Sequence, residues 1–187
     1  MIVNFLYAND FAEIPAALAN NQPLRDAMLS LIASEPVPGK ATEGGNRVMV
    51  LRTILQELAS GGINVHQAIR RTEAELPRRD SPHAGNNRVF PDGWSERLIR
   101  TQYSRFYNQA VLEQLLGRHE TECYVPHSAS EEATTQCSRL LAGRTHRVQE
   151  LHSLLVNFYS GGQWSTEPKI PDHPHCTHVV VPNHSKT

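Results

Sequence analysis

The residues best equipped for chemistry lie late in the chain, in the run Asp172-His173-Pro174-His175-Cys176-Thr177-His178, with His184 a few positions on. Imidazole nitrogen and thiolate sulfur are ligands for zinc, nickel or copper, and side chains two apart on an extended chain point to the same side. His173 with His175, or Cys176 with His178, are therefore candidate ligand pairs. A structural zinc site ordinarily takes its second pair from a separated segment, and Cys123 with His127 is the other Cys/His pair of suitable spacing. Zinc is the cofactor such a set would select. The plainer reading, solvated tail histidines and no cofactor, is preferred because no C-x-x-C accompanies them.

Nucleophilic catalysis by cysteine needs a neighbouring base and a group to orient it. Cys176 has histidines beside it, and Cys123 lies between His119 and His127. Cys137 falls instead on an apolar helical stripe and reads as core, since a free cysteine packs like a small hydrophobe. No G-x-S-x-G, phosphate-binding loop or dinucleotide fingerprint occurs, and His119-Glu120-Thr121-Glu122-Cys123 lacks the second histidine of a zinc-protease helix. No residue is assigned a catalytic role.

A different chemistry, recognition, is offered by Trp94, Arg97, Arg100, Tyr103 and Tyr107 along one predicted helix. Trp, Tyr and Arg carry much of the energy of protein interfaces, so aromatic anchors inside a rim of arginines would form a partner-binding face together with the preceding loop. A second basic group, Arg139, Arg144, His146 and Arg147, is too sparse for a nucleic-acid groove.

The elements that must position these groups are helical. Leu24, Met28, Leu31 and Ile32 lie on one helical face, as do Val48, Leu51, Leu55 and Leu58 in 47–60, closed by Gly61 and Gly62. Asp10 with Glu13 has capping-box spacing, and Asn64 can cap a helix that Pro77 ends. Residues 78–93, rich in Pro, Gly and Asn, predict the longest irregular connection and a candidate hinge. Asp92 is the expected cap of a helix over 94–116 whose apolar residues span more than one stripe, so it is central or presents a second face. Ser128 to Tyr159 reads as one long helix or two in succession, interrupted at Gly143. Beyond Gly162 four prolines break helical character, and 177–181 alone resembles a strand.

At 187 residues one ordinary core suffices, and 18 basic against 19 acidic side chains leave no field to attract nucleic acid or an anionic membrane. Three scattered cysteines fit a reducing, cytoplasmic setting, no basic secretory start is present, and no run is long enough to cross a membrane. The expectation is an all-α, irregular bundle of six to seven helices with a short N-terminal apolar segment: a helical domain over 1–162 and an extended His/Pro-rich tail over 163–187 packed at its edge. Its expected function is that of a non-enzymatic regulatory or protein-binding protein. The alternative is a metal-dependent or cysteine-centred enzyme joining the C-terminal cluster to the Cys123–His127 loop.

Overall fold

A computed structural model describes residues 6–183, so the N-terminal apolar run and His184 lie largely or wholly outside the described residues. Seven α-helices, three short 3-10 helices and one small three-stranded sheet make up the regular structure of the described residues. The first four helices are α1 (Ile14–Asn20), α2 (Gln22–Ser34), α3 (Arg47–Ala59) and α4 (Val65–Glu75). Two of the starts follow local capping chemistry: Asn21 caps α2 with its side chain, and Asn64 with Gln67 completes a reciprocal capping box at α4, while Asp10 caps the 3-10 turn that leads into α1. Pro15 and Pro23 sit in the first turns of α1 and α2, where no amide donor is needed.

Helices α2, α3 and α4 pack against α5 (Trp94–Gly117), as does the later helix α7 (Val148–Tyr159). From Gln102 to Leu112 every α5 residue is buried, so the wide apolar arc marks a central helix. Arg105 is fully buried there and works as a staple. Its Nε donates to Gln102 Oε1 at 3.0 Å, Nη1 to Ser160 Oγ at 3.3 Å, and Nη2 to the carbonyls of Pro36 and Tyr159. Ser160 in turn donates to Glu35 Oε2 at 2.8 Å, which ties the ends of two distant helices to the middle of α5. Burial lowers the Arg105 pKa to about 10, leaving it charged at neutral pH.

The expected cap at Asp92 is not used: Gly93, with φ 77°, takes the N-cap position without a side-chain bond. The 78–93 connection is held in place by Phe90, which is buried with Arg47 and Arg78 over its ring and Trp94 against its edge.

The second half departs from a purely helical bundle. Strand β1 (Glu122–Val125) pairs antiparallel with β2 (Arg144–Arg147) on one side and β3 (Val181–Pro182) on the other. The stretch expected as one long helix or two in succession holds two helices, the short α6 (Gln136–Leu140) and α7 (Val148–Tyr159), but turns precede the first and β2 separates them. The break at Gly143 is deeper than a kink because its φ of 70° turns the chain, and its amide donates to Val125 O at 2.7 Å, starting a strand. The C-terminal segment does not stay at the edge. Ile170, Val179 and Val180 are fully buried in the main core, and Val180 N donates to Asn108 Oδ1 of α5 at 2.9 Å.

Candidate metal centre

Four side chains from two segments converge between α6 and the C-terminal segment. One ligand-type atom each of Glu131, Cys137, His173 and Cys176 lies within 4.8 Å of all the others. Thr135 caps α6 by accepting from Ser138 N, which sets the short helix so that Cys137, near its start, turns its sulfur inward. On the other side, Cys176 N donates to His173 O at 3.0 Å. That turn places the side chains of His173 and Cys176 together with Pro174 and His175 at its tip.

The separations at His173 Nε2 match those around a tetrahedral ion. With metal–sulfur bonds of about 2.3 Å and metal–nitrogen bonds of about 2.0–2.1 Å, the S···N edge of a tetrahedron is about 3.5–3.6 Å. Cys137 Sγ lies 3.5 Å from His173 Nε2, and Cys176 Sγ lies 3.7 Å from His178 Nδ1. Glu131 Oε1 stands 3.2 Å from the same His173 Nε2. One imidazole nitrogen thus faces both a sulfur and a carboxylate. A catalytic relay would use the two ring nitrogens on opposite partners; a shared nitrogen is the geometry of donors around a common point.

Burial of its sulfurs distinguishes this group from surface clusters, while Glu131 and His173 are half-buried. Cys137 and Cys176 are 0% and 1% exposed and His178 is 1% exposed. The thiols are unequal without an ion: the Cys176 thiol donates toward Cys137, which with His173 and His178 pulls the Cys137 pKa far down, while that donation and burial push Cys176 up. His173 is raised through its bond to Cys137. A dication replacing the shared protons would leave two thiolates neutralised in place.

A surrounding shell fixes the donors. Glu131 Oε2 accepts from Thr177 N at 2.9 Å and from Thr177 Oγ1 at 3.1 Å, Ser128 Oγ and Thr177 Oγ1 are 2.8 Å apart, and Phe11 N donates to Thr177 O at 2.8 Å. Thr177 sits between Cys176 and His178, so clamping its backbone aims both neighbours.

Of the candidate ligands read from the sequence, His173, Cys176 and His178 come together here. His175 does not: it is exposed, because the turn replaces the strand alternation that would have put it beside His173. Cys123 and His127 also stay out of the group. Cys123 is buried in β1 with Sγ 3.5 Å from His146 O, and burial raises its thiol to about 12, while His127 packs against Gly143. The separated pair is Glu131 with Cys137, the latter read from its apolar stripe as a core residue. Their spacing from the C-terminal histidines carries no local pattern; only the core position of Cys137, with a polar Thr135 and Glu131 just before it, hinted at a second use.

The proposed recognition face divides. Trp94 and Arg100 are half-buried and Arg97 is exposed. Tyr103 and Tyr107, expected on that face, are both fully buried: Phe11 packs edge-on against Tyr103, and Tyr107 Oη accepts from Ala8 N at 2.9 Å. They are core residues, because the segment before α1 covers that side of α5. Arg100 lies over the Phe11 ring at 4.3 Å and seals it, with Nε buried.

Comparison with protein-family models, with curated proteins and with solved structures finds no match for the chain. Among the described residues no helix is long and apolar enough to cross a membrane.

Proposed function

We propose that this chain is a metal-stapled binding module. An ion, zinc by the chemistry of its donors, is held by Cys137, His173, Cys176 and Glu131, with His178 against the Cys176 sulfur outside the four. It fastens the C-terminal segment to α6, and the protein acts non-enzymatically, as a regulator or binder of another protein, through the exposed start of α5 and the loop before it. The observation that carries this reading is the meeting of two buried sulfurs, a carboxylate and an imidazole whose single nitrogen faces both kinds of partner.

Several physical points support a structural role for the ion. Four protein donors close a tetrahedral shell, whereas catalytic zinc keeps a position open for water or substrate. Both sulfurs are out of reach of an incoming carbonyl, which counts against cysteine-centred catalysis. Cobalt substitution tests the site. Metal-depleted protein titrated with Co(II) should develop intense visible bands of a tetrahedral ion and a near-ultraviolet thiolate charge-transfer band, saturating at one equivalent. The pale spectrum of an octahedral, oxygen-ligated ion would contradict the proposed donors.

A further inference from the structure

The exposed part of α5 and the metal-binding turn share a groove. Its walls include Val89 and Pro91 of the preceding loop, Trp94 and Leu98 of α5, and Pro174 from the tip of the His173–Cys176 turn, around a volume of about 220 Å³. Its polar lining is one-sided. Arg88 and Arg97 are exposed and neither forms an ion pair among the described residues. Gln102 Oε1 is occupied by Arg105, which leaves its NH2 group for an occupant. No carboxylate lines the groove. A cleft of aromatic, aliphatic and proline surface, flanked by two uncommitted guanidinium groups, complements an acidic chain that carries an apolar side chain.

We infer that this groove binds a short extended acidic segment of a partner protein, an apolar side chain against Trp94 and Pro174 and carboxylates on Arg88 and Arg97. The inference rests on the metal-stapled reading in one respect: His173 and Cys176 bracket Pro174, so the ion sets the position of that wall. Loss of the ion frees the turn and opens the groove, making partner binding metal-dependent.

Trp94 reports on the groove directly, since the chain's other tryptophan, Trp164, is 81% exposed and can be replaced by phenylalanine. Titrating Trp164→Phe protein with the blocked peptide Glu-Asp-Leu-Glu-Asp should change Trp94 emission saturably, more weakly as salt is raised. The counterpart Lys-Lys-Leu-Lys-Lys should not bind. Arg88→Ala/Arg97→Ala protein should bind the acidic peptide about tenfold more weakly, with an unchanged circular dichroism spectrum. Chelator-treated protein should also bind it several-fold more weakly. Equal binding of both peptides, unchanged affinity in the double variant, or displacement of the acidic peptide by an oligothymidylate that binds more tightly would overturn the inference. Metal content measured on the same samples separates the two readings. Stoichiometric metal without peptide binding removes the groove and leaves the centre, whereas arginine-dependent peptide binding by protein that never holds metal removes the centre and the proposed coupling.

Discussion

Cys137 is as deeply buried as any aliphatic residue of the core, yet its sulfur faces His173, and the Cys176 thiol donates toward it. That dual character explains why it reads as a hydrophobe in the sequence. Individual residues should separate ligand from bystander: His173→Ala should weaken metal binding by at least about tenfold in competition with a chromogenic chelator, while His175→Ala leaves it unchanged. Glu131→Gln should weaken it by about 10–100-fold, because the change removes a donor charge and loosens the bonds that hold Thr177. Equal effects at His173 and His175 would mean that the exposed imidazole, not the buried group, holds the ion. Arg105 is the other residue on which much depends. Arg105→Met keeps the volume but leaves the carbonyls of Pro36 and Tyr159 without their donor, and should cost about 3 kcal/mol in urea unfolding.

The helices around α5 were legible because each carries a stripe and a cap of its own; α2, α3 and α4 follow from Leu24, Leu51 and Asn64 and their periodic neighbours. The stretch from Ser128 to Tyr159 was not, since its apolar spacing satisfies a helix whether the chain runs straight or, as here, turns at Gly143 and brings Cys137, Leu141, Leu151 and Leu155 to one core. Pairing with β1, a long-range event, overrides local periodicity at Arg144–Arg147. Gly143 makes this testable. A Cβ there would collide with the His127 ring at a backbone angle few side chains adopt, so Gly143→Ala should destabilise by about 1–2 kcal/mol. A neutral result would mean that the turn is not the one described. Helices α5 and α7 are further joined by Glu113 and His152, 3.2 Å apart, and the hydrogen bond from His152 lowers the Glu113 pKa. A carboxylate lowered in the folded state stabilises above its unfolded pKa of about 4.3 and loses that contribution as pH falls through the folded value. Glu113→Gln should therefore cost under about 1 kcal/mol near pH 6, Glu113 being partly exposed, and the difference from the parent should fade as pH falls below the unfolded value.

For the molecule as a whole, the C-terminal segment is the feature that local sequence describes least well. Its prolines and histidines resemble a solvated tail, yet Ile170, Cys176, Val179 and Val180 pack into the same core as α5 and α7. The short β3 strand and the side-chain bonds to Asn108 and Glu131 hold it. In the proposed account the metal completes that attachment, so occupancy and stability must move together. The direct measurement is elemental mass spectrometry of tag-free protein purified without added metal, paired with thermal unfolding before and after chelation, on the parent and on Cys137→Ser/Cys176→Ser. About one zinc per chain is expected, absent from the double variant, with a melting temperature that falls on chelation only in the parent. Well-folded parent protein that contains no transition metal and melts at the same temperature with and without chelator would contradict it.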